Sequence, residues 1–178
     1  LAWHFALADF LVLRNIRRML GIDSCRYILS GAAPISPELI RWYFALGLYM
    51  AEGYGQTENA GIATIPQPFG TYKFGLVGKP VPNTELRLAE DGEILMKGPH
   101  VFMGYWNQPE KTAETVVDGW LHTGDIGVID NEGWVRITDR KKDIIITAGG
   151  KNITPSEIEN ELKFSPYIQD AVVIGDRR

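Results

Sequence analysis

Residues 53–58, with the sequence GYGQTE, combine side chains that could bind a nucleotide. The two glycines let the backbone approach a ligand closely, and Tyr54 offers a flat face on which a base can stack. Thr57 offers a hydroxyl to a phosphate oxygen, and Glu58 offers a hard carboxylate that suits Mg²⁺. Taken alone, however, this segment is explained at least as well by an ordinary polar turn.

Two further segments could contact a planar ring and a ribose. Residues 30–34 (SGAAP) follow a predicted strand, and their small side chains leave room for a planar ring, although helix–strand packing explains them equally well. In residues 122–125 (HTGD), we expect a glycine turn to hold Asp125, whose carboxylate could accept hydrogen bonds from a ribose diol. A turn or capping role is the alternative for Asp125. We interpret His122 as structural, because no second histidine lies at metal-ligand spacing.

The fourth segment is a charged run followed by a glycine pair. Residues 139–143 (DRKKD) alternate in charge, which is typical of a solvated surface. Residues 147–152 (TAGGKN) follow a predicted strand, and their glycine pair indicates a turn or a mobile segment.

The elements that must position these segments change character along the chain. A helix over residues 1–20 is closed by Gly21, and a second helix begins at Pro37 with Ser36 as its N-cap. Strands are predicted at residues 27–30 and 48–51. This succession of strand, helix and strand predicts a parallel sheet.

The remaining residues are richer in strands. Short alternating runs between glycine turns predict a β-rich segment over residues 76–140, interrupted by one helix near residues 108–117. Beyond it we expect a strand at 144–146, a helix opened by a capping box at Thr154, and a strand at 171–174.

Composition excludes several classes of protein. The 178 residues are 45% apolar and 22% charged with a net charge of −4, which excludes a disordered chain and argues against nucleic acid as a partner. The single cysteine, Cys25, allows no internal disulfide and is predicted to be a buried structural thiol. No segment has the length and composition of a membrane span or a signal peptide.

The two ends of the chain favour a piece of a longer protein. The chain lacks an initiator Met, and it ends abruptly after a strand-like run.

In their order and spacing, the motifs together resemble the adenylate-forming superfamily, most closely its long-chain fatty acyl-CoA synthetases. The segments that carry the resemblance span most of the chain: 30–38 (SGAAPISPE), 52–58 (EGYGQTE), 78–80 (GKP), 92–98 (GEILMKG), 104–106 (GYW), 120–125 (WLHTGD) and 139–143 (DRKKD).

This resemblance implies a mixed α/β fold and a two-step reaction. Residues 1–75 would end a large α/β domain with a parallel sheet, 76–140 would form a β-rich, distorted-barrel subdomain, and 141–178 would begin a small α+β lid. A carboxylate would attack the α-phosphorus of ATP with the help of Mg²⁺, giving an acyl-adenylate and pyrophosphate. The thiol of CoA would then displace AMP.

The resemblance also assigns site residues, position by position. The nucleotide would be held by Gly31, Ala32, Ala33, Tyr54, Gly55, Thr57, Asp125 and Arg140. The residues with catalytic roles would be Thr57, Glu58, which binds the metal, and Lys142, which is the hinge of the lid. The acyl group would lie against Gly53, Gly55, Ala60 and Gly61, and CoA would pass Gly149, Gly150 and Lys151.

The implied partners are a fatty acid, ATP and CoA, in a cytoplasmic protein whose lipid substrate leaves peripheral membrane association open. The sequence does not set the oligomeric state. Three alternatives also stay open. The first is a medium-chain or aryl CoA ligase, the second an acyl-AMP ligase that loads a carrier protein, and the third a nucleotide-binding fragment without catalytic activity.

The superfamily's Ser/Thr/Gly-rich phosphate loop and its terminal lysine have no counterpart in these residues, and neither Lys151 nor Lys163 matches that lysine's motif. We therefore expect this 178-residue chain to form little or no acyl-CoA from fatty acid, ATP, Mg²⁺ and CoA. Appreciable acyl-CoA formation in that assay would refute the prediction.

Overall fold

The computed structural model describes residues 2–66, 70–147, 152–163, 165 and 167–175. Within these ranges the chain is a mixed α/β protein, which confirms the predicted fold class. The three residues expected to line the CoA path, Gly149, Gly150 and Lys151, lie outside the described residues.

A helical stretch opens the described chain and confirms the predicted first helix. It is built from α1 (Ala2–Ala8), a π-helical turn (Asp9–Leu13) and α2 (Arg14–Met19). Arg17 Nη1 lies 2.6 Å from both Asp9 Oδ1 and the carbonyl oxygen of Leu46. This side chain therefore ties the helical stretch to the end of the next helix.

The predicted parallel unit is present. Strands β1 (Ile28–Ser30) and β2 (Met50–Glu52) pair in parallel, and helix α3 (Pro37–Ala45) connects them. The Ser36 hydroxyl accepts the backbone N–H of Leu39, so it caps α3 as expected. Because both strands run in one direction, the loops that follow them meet at the same edge of the sheet.

The middle of the chain forms antiparallel sheets. One is a two-stranded pair, β3 (Thr64–Ile65) and β4 (Lys79–Pro80). The other has five strands: β5 (Glu85–Leu88), β6 (Glu93–Lys97), β7 (Val116–Val117), β8 (Trp120–Ile129) and β9 (Val135–Arg140). β6 pairs with β5 and β8, whereas β7 pairs with the beginning of β8 and β9 with its end. The predicted interrupting helix is α4 (Pro109–Thr115).

The apolar core lies against this larger sheet in two clusters. One contains Ala63, Met96 and Leu121, and the other contains Val77, Ile94 and Val135. The ring of Tyr54 packs against both clusters. Burial of these side chains therefore fixes a residue that the sequence assigns to ligand binding.

The last part of the chain contains β10 (Ile145–Ile146), β11 (Asn152–Ile153) and α5 (Pro155–Leu162). Two expectations fail here. Thr154 occupies the N-cap position, but its side chain accepts no capping hydrogen bond. Residues 171–174 form no strand, because the backbone N–H of Val173 donates to the Glu159 carboxylate at 2.7 Å rather than to a strand.

The fold contradicts the expectation for the single cysteine. Cys25 is exposed, so the prediction of a buried thiol is wrong. Among the described residues, no helix has the length and apolar character needed to cross a bilayer.

The contact between Gly55 and Gly61 generates a prediction about stability. A Cβ on Gly55 would lie 2.3 Å from the carbonyl oxygen of Gly61, whereas a Cβ on Gly61 would meet no atom within 4 Å. Gly55→Ala should therefore lower the free energy of unfolding in urea by about 3 kcal/mol through steric overlap. Gly61→Ala, where φ is +84°, should cost only about 1 kcal/mol through left-handed strain. Equal losses in the two variants would contradict the tight packing of this loop.

Candidate functional site

A cavity of about 730 Å³ opens where β1 and β2 end, a volume typical of small-molecule sites. Its walls also include residues of α3, β9 and α5. Seven of the residues predicted from the sequence line it: Ala32, Ala33, Gly53, Tyr54, Gly55, Asp125 and Arg140. The structure therefore brings most of the predicted adenosine-side residues together around one space.

The centre of this site is the carboxylate of Asp125, which is only 3% exposed. Its Oδ2 accepts a hydrogen bond from the Tyr54 hydroxyl at 2.5 Å, and its Oδ1 lies 2.9 Å from Arg140 Nε. Asp125 and Arg140 are also cross-strand partners in β8 and β9. Since each carboxylate oxygen has two lone pairs, Asp125 retains capacity to accept hydrogen bonds from a ligand.

Burial is the main cause of the shifted pKa values of Asp125 and Tyr54. Burial raises the pKa of Asp125, and the hydrogen bond from Tyr54 and the charge of Arg140 only partly oppose that effect. Burial, with the nearby Asp125 charge, also raises the pKa of the Tyr54 phenol. Tyr54 is therefore a hydrogen-bond donor throughout the physiological pH range.

Asp125 does not stand on a simple glycine turn, so that expectation is wrong. Residues 123–125 form a bulge inside β8, opposite the single residue Ile94 of β6. The Thr123 hydroxyl donates to the Ile94 carbonyl at 2.6 Å and accepts the N–H of Asp125 at 3.2 Å. Gly124 adopts a φ of +70°, which glycine tolerates without strain. The bulge turns the Asp125 side chain into the cavity wall.

A second buried carboxylate, Glu93, lies behind the bulge. Its Oε1 accepts the N–H of Gly124 at 2.9 Å, and its Oε2 lies 2.9 Å from Lys141 Nζ and 3.3 Å from His122 Nδ1. Burial acts to raise the pKa of Glu93, but the hydrogen bonds from Lys141, Gly124 and His122 outweigh it and lower that pKa. His122 thus makes a structural contact, in keeping with its interpretation from the sequence.

Thr57 and Glu58 lie apart from the cavity wall. Thr57 is exposed and begins a short 3₁₀ turn (Thr57–Asn59), whereas Glu58 is half-buried. Glu58 Oε1 accepts a hydrogen bond from the Tyr105 hydroxyl at 2.7 Å, so its carboxylate is oriented. The other predicted residues that the cavity lining does not include are Gly31, Ala60, Gly61 and Lys142.

Glu58 is compatible with the metal that the resemblance implies. Over the part of the chain that the structure describes, no group of three or more His, Cys, Asp and Glu side chains forms a metal cage. Mg²⁺ is nevertheless usually held by one or two carboxylates together with substrate phosphates. A single oriented carboxylate therefore fits the donor chemistry.

Sequence reasoning missed several polar residues of the cavity wall, among them Glu52, Asp139 and Ser156. Glu52, at the end of β2, is 7% exposed, accepts the N–H of Ile35 at 3.2 Å, and has its pKa raised by burial. Asp139, which the charge pattern placed on a solvated surface, is buried and accepts both the hydroxyl and the N–H of Ser156. A carboxylate directly after a buried strand could have indicated Glu52, but no pattern links Asp139 to a residue 17 positions later.

Comparison with known proteins decides the family. The sequence model described as AMP-binding enzyme matches residues 8–106, more than half of the chain. The chain belongs to the AMP-binding enzyme family. Within this family it is 47% identical over 173 residues to the long-chain-fatty-acid–CoA ligase FadD15 of Mycobacterium bovis, and the match covers 97% of this chain and 28% of FadD15. The chain therefore spans a little over a quarter of that relative's length.

Solved structures of similar proteins have the same fold over most of this chain. The o-succinylbenzoate CoA synthetase MenE of Bacillus subtilis, in complex with its acyl-adenylate intermediate, superposes with a TM-score of 0.80 at 35% identity. That superposition covers 86% of this chain and 34% of MenE. MenE in complex with ATP and a magnesium ion superposes with a TM-score of 0.71, covering 79% of this chain and 31% of that one.

The raised pKa of Asp125 gives a prediction about pH. Between that raised pKa and the ordinary aspartate value of about 4, the folded state binds more protons than the unfolded state, so acidification through this window stabilises the fold. Asp125→Asn removes the titrating group. The free energy of unfolding of the wild type minus that of Asp125→Asn should therefore rise as the pH is lowered from 7 to 4 in urea titrations. A difference that stays constant or falls would contradict the buried state of this carboxylate.

Proposed function

We propose that this chain is part of an ATP-dependent long-chain fatty-acid–CoA ligase, which forms an acyl-adenylate and then acyl-CoA and releases pyrophosphate and AMP. The observation that carries the proposal is the cavity in which Asp125, Tyr54 and Arg140 meet at the carboxyl end of a parallel strand pair. Ligands of α/β proteins collect at such edges. The 47% identity to a ligase of that name supports the same conclusion.

In this proposal Asp125 accepts hydrogen bonds from the ribose hydroxyls. Tyr54 and Arg140 hold its carboxylate in place before a ligand arrives, so little ordering remains to be done on binding. Arg140, which is half exposed, adds further N–H donors beside the same ribose. Ala32 and Ala33 lack bulk beside the cavity and leave room for the adenine ring, with Gly31 just behind them.

The phosphates would extend from the cavity toward Thr57 and Glu58. Thr57 would donate its hydroxyl to an α-phosphate oxygen, and Glu58, held by Tyr105, would bind Mg²⁺. When bound, that ion would offset the charge that develops on the phosphate oxygens as the carboxylate attacks. The complex of the similar protein MenE with ATP and a magnesium ion supports ATP and Mg²⁺ as the ligands in this proposal.

We further propose that residues 141–178 begin a lid that turns about Lys142, beyond the large domain (1–75) and the β-rich subdomain (76–140). Lys141 is paired with Asp91, in the turn before β6, and with Glu93 of β6, which fixes the chain immediately before the hinge. Helix α5 contributes Ser156, Asn160 and Glu161 to the cavity wall, so a turn at Lys142 would open or close that wall. The assignment of Gly149, Gly150 and Lys151 to the CoA path stays a prediction.

The identity values favour a fatty acyl group over an aryl group. The named fatty-acid ligase is 47% identical to this chain, whereas MenE, which acts on o-succinylbenzoate, is 35% identical. In the proposal, the acyl chain lies along Gly53, Gly55, Ala60 and Gly61, and of the three glycines only Gly61 has open space beside its Cα. We further propose a cytoplasmic enzyme, whose lipid substrate leaves peripheral membrane association open.

Nucleotide binding by this chain tests the proposal. AMP should bind in isothermal titration calorimetry, and Asp125→Asn should weaken that binding about tenfold, because charge-assisted hydrogen bonds to the ribose are lost. Glu132→Gln is the matched control, since it removes one negative charge from an exposed side chain outside the cavity lining. Its affinity for AMP should stay within about twofold of the wild type. No heat of AMP binding by the wild type would overturn the nucleotide site.

A further inference from the structure

The bulge that carries Asp125 depends on side chains for its hydrogen bonds. Residues 123–125 oppose the single residue Ile94, so the ladder between β6 and β8 cannot pair all of their backbone groups. The N–H of Asp125 is satisfied by the Thr123 hydroxyl within the bulge itself. The N–H of Gly124 is satisfied only from outside the bulge, by the carboxylate of Glu93 at 2.9 Å.

The same carboxylate reaches the strand that carries Arg140. Glu93 Oε2 lies 2.9 Å from Lys141 Nζ, and the Lys141 backbone N–H donates to the carbonyl of Gly124 at 2.8 Å. Gly124 is therefore held on both sides, by Glu93 through its N–H and by Lys141 through its carbonyl. Gly124 directly precedes Asp125, and Lys141 directly follows Arg140. Glu93 therefore contacts a chain neighbour of each of the two charged residues at the cavity.

We propose that Glu93 is a positioning residue, which holds Asp125 and Arg140 in the geometry needed for hydrogen bonds to the ribose hydroxyls of the nucleotide. This inference rests on the proposed function. Glu93 does not line the cavity, so it acts through Gly124 and Lys141 and not by touching the ligand.

Burial makes Glu93 suited to this role. Its side chain is 5% exposed, whereas those of its partners Lys141 and His122 are 47% and 35% exposed. A buried carboxylate that lost these partners would have an uncompensated charge, so the arrangement is held in one geometry. The other acidic partner of Lys141, Asp91, is half exposed, and its Oδ1 accepts the backbone N–H of Glu93 at 3.1 Å, whereas the N–H of Gly124 donates to Glu93.

The test compares AMP with 2′,3′-dideoxy-AMP, which lacks both ribose hydroxyls. In calorimetry the wild type should prefer AMP by about tenfold or more, as expected for hydrogen bonds to a charged group. Glu93→Gln keeps the size of the side chain and removes its charge. It should weaken AMP binding while leaving 2′,3′-dideoxy-AMP nearly unchanged, so that the preference falls to about threefold or less.

Two variants accompany Glu93→Gln. Asp91→Asn is the matched control, because it removes a charge from Lys141, keeps a side-chain oxygen that can accept the Glu93 N–H, and leaves the Gly124 N–H with its acceptor. Its preference for AMP should equal that of the wild type. Lys141→Met removes the cation but keeps the Lys141 backbone N–H on the Gly124 carbonyl, so it should reduce the preference by a smaller factor than Glu93→Gln. Amide hydrogen exchange at Gly124 should be at least about tenfold faster in Glu93→Gln than in Asp91→Asn.

The outcomes separate this inference from the proposed function. A wild type that binds both nucleotides equally would overturn the ribose contact itself, and the role of Glu93 with it. A wild type that prefers AMP, together with an unchanged preference in both Glu93→Gln and Lys141→Met, would overturn the role of Glu93 alone. Equal weakening of both nucleotides by Glu93→Gln, or unchanged exchange at Gly124, would show a merely structural residue and would also overturn it.

Discussion

The site depends on keeping one carboxylate, that of Asp125, buried at the wall of a cavity. Transfer of a charge out of water is costly unless the charge is paired and hydrogen-bonded. Here the Tyr54 hydroxyl and the Arg140 guanidinium supply that pairing, one on each carboxylate oxygen. Tyr54 is in turn fixed by both core clusters, so the packing of the apolar core extends directly to the polar site.

The surrounding elements can be understood as supports for this carboxylate. The parallel strands β1 and β2 bring Gly53 and Tyr54 to the sheet edge, and the bulge in β8 brings Asp125 to the same place. Behind the bulge, Glu93 and Lys141 pair with each other and hold Gly124 between them. The opposite pKa shifts of the two acids reflect this division: burial dominates at Asp125, whereas hydrogen bonds from several partners dominate at Glu93.

Local patterns in the sequence predicted the parts of the fold that local interactions determine. The cap at Ser36, the helix begun by Pro37 and the parallel pair followed from residue types near one another in the chain. Family resemblance then indicated Tyr54, Asp125 and Arg140 as partners of one ligand. The bulge in place of a glycine turn, and the burial of Asp139, could not be predicted, because both depend on contacts between distant segments. Ser156 lies 17 residues from Asp139, and Glu93 lies 31 residues from Gly124.

The most direct test of the central claim is an experimental structure of this chain in complex with AMP. We predict that both ribose hydroxyls lie within hydrogen-bond distance of the Asp125 carboxylate, about 3 Å, with the adenine ring beside Ala32 and Ala33. AMP bound with its ribose turned away from Asp125, or bound outside this cavity, would contradict the account.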